Sequence, residues 1–181
     1  MRRSLAFVMV IGLCCPAGPA VADFFAIDVD AQAGYSWVDK VEVRRGGEYQ
    51  ATKLEGGIVG VHGKLEILFI SLVVDYQHFF NNADLLHVGL GADFKLDLSV
   101  IKPYVRGSAG LMMLVADAGA FDPAAEEEYA PTAGFQARAG AGLDVPLGDW
   151  FAVGAVVDAG VHYLDAVGYD LAITGYLGLR I

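Results

Sequence analysis

Beyond residue 22 the sequence contains no cysteine; the two it has, Cys14 and Cys15, lie in the first twenty residues. A chain without thiols there has no disulfide framework and no thiolate metal site. Long apolar runs are missing too: after the N-terminus no stretch is continuously hydrophobic over the roughly 20 residues that a membrane helix needs. That excludes a helical membrane protein, although mean hydropathy is +0.47 and 55% of residues are hydrophobic. Basic residues are scarce, 12 against 22 acidic ones for a net charge of −10. The imbalance argues against nucleic acid as a partner, because phosphate binding is carried by Lys and Arg. Serines are few as well, which limits nucleophilic chemistry.

What is present begins with a short export signature. Arg2 and Arg3 are followed by an apolar core from Leu5 to Cys15 and by Ala20-Val21-Ala22, a small-residue cleavage site. Residues 1–22 therefore read as a signal peptide, with the mature chain starting at Asp23 and occupying 23–181 as one domain. The core of about 11 residues is too short for a membrane anchor. Lipidation of Cys14 or Cys15 is a further reading, but Gly12 and Leu13 fit the usual acceptor pattern poorly. Removal of the signal leaves ten basic against 22 acidic residues, net −12.

The dominant pattern is period two, the mark of a strand with unlike faces. From Leu86 to Leu98, the residues Leu86, Val88, Leu90, Ala92, Phe94, Leu96 and Leu98 alternate with His87, Gly89, Gly91, Asp93, Lys95 and Asp97. From Tyr104 to Val115, Val105, Ala109, Leu111, Met113 and Val115 alternate with Arg106, Ser108 and Met112. The same rhythm predicts strands over Phe25–Trp37, Leu54–Glu66, Leu68–Phe80, Phe135–Val145, Phe151–Tyr163 and Tyr169–Ile181. Eight strands of this kind, some reaching roughly 40 Å at about 3.3 Å per residue, suit a bilayer crossing at a tilt. A transmembrane barrel reconciles a high mean hydropathy with mixed local windows, since lipid-facing and lumen-facing residues alternate.

The connections are less uniform. Val38 to Lys53 reads as a long polar loop, with strand extensions as the other reading. The break between strands two and three is placed at Glu66 to Leu68 by a change of phase, with His62-Gly63-Lys64 as the alternative turn. Asn81-Asn82-Ala83-Asp84 and Pro146-Leu147-Gly148-Asp149 are turn signals. Ser99 to Pro103 and Leu164 to Gly168 are short links, whereas Ala116 to Thr132, with Asp117, Asp122, Glu126, Glu127, Glu128 and two prolines, is a long acidic loop. That loop lacks the alternating oxygen ligands and central glycine of a calcium site, so it reads as solvated.

These features together resemble the small outer-membrane β-barrel family, the OmpA/OmpX-like eight-stranded class: an even strand count, an export signal, outward apolar stripes and a strand ending on the last residue. The resemblance covers Asp23 to Ile181. It implies an all-β, antiparallel, up-and-down barrel with both termini periplasmic and longer loops outside. Tyr169, Leu171, Ile173, Leu177, Leu179 and Ile181 look like the C-terminal signal read by the barrel-assembly machinery, with Ile in place of the usual final Phe. The implied partners are outer-membrane lipid, lipopolysaccharide and that machinery; no cofactor and no metal are implied. The implied roles are structural, surface-interaction or envelope-integrity ones.

Inward positions by phase collect Asp28, Asp30, Glu66, Asp75, Asp93, Asp97, Asp144 and Asp158 with Lys64, Lys95, Lys102, Arg106, Arg138 and Arg180. Eight strands enclose just enough room for side chains, and charges in such a space must pair or be hydrated. The expected arrangement is a plug of paired charges, with a narrow ion path as the other reading. His62, His87 and His162 also point inward. Some eight-stranded barrels are lipid A deacylases with a serine activated by histidine. Here Ser36, Ser71, Ser99 and Ser108 form no His-x-Ser pair on one strand face, so no catalytic residue is expected. Gly34-Tyr35-Ser36-Trp37 is similar to the Gly-x-Trp entry of the lipocalins, but the spacing is off by one and a lipocalin keeps its apolar residues inside.

Overall fold

The structure is a computed structural model that describes residues 25–45, 48–98, 100–116, 132–164 and 166–181. Residues 1–24, which include the predicted signal peptide, and the acidic segment 117–131 lie outside the described residues. Alternation of large apolar and small or polar residues gives eight strands: β1 Phe25–Arg45, β2 Glu48–Ile67, β3 Ile70–Phe79, β4 Ala83–Lys95, β5 Lys102–Ala116, β6 Thr132–Leu147, β7 Phe151–Tyr163 and β8 Val167–Arg180. Each pairs antiparallel with its sequence neighbour, and β8 pairs with β1 to close the barrel. Closure leaves no sheet edge to be satisfied. The seam extends to the last residue, where Ile27 and Ile181 exchange backbone hydrogen bonds of 2.8 and 2.9 Å.

The barrel is inside-out. Outward positions carry the large apolar side chains, so the lipocalin polarity is reversed. At the end where Phe25 and Ile181, the first and last described residues, lie, Phe25, Phe69, Phe94, Trp150 and Phe151 are exposed; at the far end Tyr35, Phe80, Phe135, Tyr163 and Tyr169 are. Aliphatic residues such as Val29, Leu72, Leu90, Val157 and Ile173 lie between these two aromatic rings. Along β7 the rings stand twelve residues apart, about 40 Å of strand, which a tilt of about 40° reduces to about 30 Å. That height matches an apolar band with aromatic girdles at a bilayer.

One segment departs from the first sequence reading. Val38 to Lys53 takes the strand-extension reading and not the polar-loop one: β1 runs on to Arg45 and β2 starts at Glu48. The cause is a bulge between Val38 and Val41, where Lys40 takes φ 51°. The one extra residue resets the phase, so that Val38 and Val41 both point inward despite their odd spacing. The turn between β2 and β3 is Leu68-Phe69, with Leu68 at φ 62°, close to the predicted break and away from His62-Gly63-Lys64. Among the remaining links, strand β6 continues through Pro146 and Leu147, and the chain reverses over Gly148 to Trp150, with Gly148 at φ 77°. In the far-end turn after β3, Asn82 takes φ 66°, a conformation asparagine tolerates.

Candidate functional site: the lumen

Inward side chains fill the barrel in layers. Nearest the chain termini, Lys64 Nζ lies 3.1 Å from Asp28, 2.8 Å from Glu66 and 2.9 Å from Asp93. Lys95 Nζ stands 3.5 Å from Asp28 and 3.8 Å from both Asp93 and Asp144. Arg180 completes this layer through Asp28, Asp144 and a short contact with Asp30. Tyr176 donates to Asp144 at 2.7 Å. Its ring lies over Gly154, and the ring of Tyr104 lies over Gly142, the residues paired with them across the ladder. A Cβ on either glycine would overlap the ring, so these are positions where only glycine lets an aromatic lie flat against the wall.

In the next layer the Arg106 guanidinium grips Asp158 with two parallel bonds of 2.9 and 2.6 Å, the fork geometry that makes such pairs strong. Its third nitrogen approaches His62 at 3.4 Å. Further up, Arg138 bridges two carboxylates, Asp75 at 2.7 Å and Asp170 at 3.3 Å. Gln32 donates to Asp75 at 2.7 Å and Gln136 to Asp170 at 2.9 Å, so amides satisfy lone pairs that the arginine cannot reach. A cavity of about 50 Å³ remains among these groups. That is room for only a few waters.

Above the ions the chemistry changes. Val38, Val41, Leu54, Ile58, Phe79, Ala83, Leu85, Met112, Leu114, Ala116 and Leu164 form one buried apolar cluster across the far end of the lumen. Phe79, Ala83 and Met112 have no exposed surface. At the opposite mouth an open vestibule of about 380 Å³ is lined by Lys95, Asp144 and Arg180 among others.

Twelve of the fourteen charged residues picked from the sequence meet in this network. Two do not: Asp97 lies in the β4–β5 connection with its side chain 68% exposed, and it pairs at 3.1 Å with Lys102 at the rim. The strand phase stops at Lys95, so alternation beyond it no longer reports a lumen. Asp170 was missed, although it shares the parity of Thr174, Tyr176 and Arg180 on β8 and is as buried as Asp158. The apolar cluster was also missed.

The three inward histidines are all buried. His62 and His162 stand beside carboxylates, 4.0 Å from Asp75 and 3.6 Å from Asp170. His87 Nε2 lies 3.3 Å from Ser108 Oγ, a serine–histidine pair that the sequence search had not found because its members sit on neighbouring strands. The pair is enclosed in the lumen, and among the described residues no carboxylate bonds the other ring nitrogen of His87. The predicted C-terminal signal residues Tyr169, Leu171, Ile173, Leu177, Leu179 and Ile181 all face outward. Ser99 lies outside the described residues.

No protein-family model matches the chain, and no curated protein does. Among solved structures it is similar to Neisserial surface protein A, with a TM-score of 0.56 at 14% identity over 87% of this chain and 96% of that one. Similarity to the N-terminal β-barrel domain of Pseudomonas aeruginosa OprF has a TM-score of 0.48 at 18% identity, covering 86% and 97%. For Ail, the attachment invasion locus protein of Yersinia pestis, the TM-score is 0.40 at 15% identity, covering 85% and 98%. With its closed antiparallel topology and inside-out polarity, the chain has the fold of the small eight-stranded outer-membrane β-barrels.

Proposed function

We propose that this chain is exported by residues 1–22, inserted into the outer membrane through its assembly machinery, and works there as a closed, non-enzymatic barrel with a structural, surface-interaction or envelope-integrity role. The observation that carries the reading is the filled lumen: an ion-paired network in one half and an apolar seal in the other, inside an apolar outer wall. Such an interior gives rigidity and offers no path for ions, since an apolar constriction dewets and blocks charge. Tyr169 to Ile181 supplies the recognition strand. The outer wall supplies contacts to lipid and lipopolysaccharide, and contacts with other molecules fall to the far-end loops. The His87–Ser108 pair is part of the packing, because no lipid substrate reaches a side chain enclosed within the wall.

Expression with the native signal, followed by membrane fractionation and gel mobility with and without heating, tests this. Recovery in the outer membrane with a faster-running unheated band is expected, together with no steady conductance in planar bilayers. Recovery as a soluble periplasmic protein, or stable single-channel steps, would overturn it.

A further inference from the structure

The two ends of the barrel are finished differently. Past the far-end aromatic ring the exposed side chains of β1 and β2 turn polar, with Lys40 and Lys53. At the near end they stay apolar through two of the turns. Ile67, Leu68, Phe69 and Ile70, the whole β2–β3 reversal, are exposed, and so are Leu96, Leu98, Val100 and Ile101 in the β4–β5 connection. Phe69 at 74% and Val100 at 70% are the most exposed large apolar side chains among the described residues. Leu68 holds φ 62° at the first position of a two-residue turn, where that sign of φ ordinarily selects glycine. An apolar side chain kept there against backbone strain points to a surface covered by something other than water.

Direction decides what covers it. Backbone bonds from Leu96 N to the Pro103 carbonyl and from Leu98 N to the Ile101 carbonyl, 2.8 and 3.3 Å, carry the β4–β5 hairpin past Lys95. Leu96, Leu98 and Ile101 keep the outward parity of Phe94 and Val105, whereas Asp97 and Lys102 pair on the other face, at the rim of the mouth. The aliphatic side chains thus point sideways and continue the lipid-facing wall; they do not point down, where a molecule in the water would dock. Their depth agrees. Paired residues followed once round the barrel from Ala26 return to β1 at Val38, so each step to the next strand climbs about 1.5 residues. Allowing for that climb, Leu68, Leu98 and Val100 fall within about two residues of the plane of Phe25 and Trp150, the near-end ring itself. We infer that the β2–β3 and β4–β5 turns are an apolar foot set in the near leaflet among phospholipid chains, so that on this side the barrel meets the water through its charged mouth.

The inference rests on the membrane reading above, and the test separates the two. The chain has no cysteine beyond residue 22, so Phe69→Cys, Leu98→Cys and Lys102→Cys each give a single site for a nitroxide in the exported protein. Barrels taken from the outer membrane are reconstituted in vesicles of phosphatidylethanolamine and phosphatidylglycerol. Spin-label relaxation is then measured with oxygen, which enters acyl chains, and with a water-soluble nickel chelate. Positions 98 and 102 lie at similar depth on opposite faces of one hairpin. The oxygen-to-nickel collision ratio is expected to be about fivefold higher at 69 and 98 than at 102, since oxygen partitions into the chains and the chelate stays in water. Leu96→Cys replaces either foot variant if it loses the heat-dependent mobility shift. Ratios at 69 and 98 equal to that at 102 would overturn the foot and put the turns in water. Exclusion of both reagents, with spin–spin broadening, would overturn it in favour of a second copy. Recovery of the unsubstituted chain as a soluble protein would overturn the membrane reading instead.

Discussion

The two halves of the lumen have the same walls and opposite contents. Toward the chain termini, inward positions hold Lys64, Lys95, Arg106, Arg138 and Arg180 among seven aspartates; toward the far end they hold Leu54, Ile58, Phe79, Leu85, Met112 and Leu114. The comparison teaches that closure of the barrel fixes which residues point inward and leaves their chemistry open. The two fillings also fail differently. An apolar plug loses packing in proportion to the volume removed, whereas an ionic one loses most when a single partner is taken away, because the other charge stays buried.

The largest effect should therefore come from Arg138. Arg138→Met leaves Asp75 and Asp170 facing each other without their bridging cation, at an expected cost of about 3–5 kcal/mol, read as a lowered urea midpoint in detergent. On the apolar side, Leu85→Ala should cost about 2–4 kcal/mol through a cavity under the far-end seal. It should leave the ion pairs untouched. If Leu85→Ala proves costlier than Arg138→Met, the contrast between the halves is drawn the wrong way round. The contrast is sharpened by converting one filling into the other: Arg106→Met combined with Asp158→Leu removes a bidentate pair as a unit. The double variant is expected to lose less stability than either single change, since it leaves no orphaned charge.

How far the sequence revealed this arrangement depends on where its alternation is clean. On β7, Val153, Ala155, Val157, Ala159 and Val161 against Asp158 and His162 declare both faces, and the structure agrees. Asp170 carried the same signal and was simply unread. The apolar seal was hidden for a physical reason: where Leu85-Leu86 or Met112-Met113-Leu114-Val115 put apolar residues on both faces, period two disappears although the strand does not. The bulge at Val38 to Val41 was hidden because it depends on a left-handed Lys40, a residue with no turn preference of its own. His78 shares the parity of Tyr76 and was left unread in the same way; Asp84, its partner, stands opposite it only through the β3–β4 register.

Glycine and rim positions supply the smaller tests. Gly154→Ala should cost about 1–3 kcal/mol, because a methyl group there meets the Leu143 carbonyl oxygen as well as the Tyr176 ring, and moving the ring loosens its bond to Asp144. The same change at Gly148 meets no neighbour and acts only through its φ of 77°. Last is Lys102→Ala at the rim. Its pair with Asp97 is similar in length to the Lys64–Asp28 contact inside, but Asp97 is 68% exposed whereas the inner pair is almost fully covered. Water already screens the outer pair, so its loss should shift stability by less than about 0.5 kcal/mol, and raising the salt concentration should remove even that. Two ion pairs of equal distance would then differ severalfold in worth through burial alone; a Lys102→Ala cost matching that of a lumen variant would mean that the rim, too, is shielded from solvent.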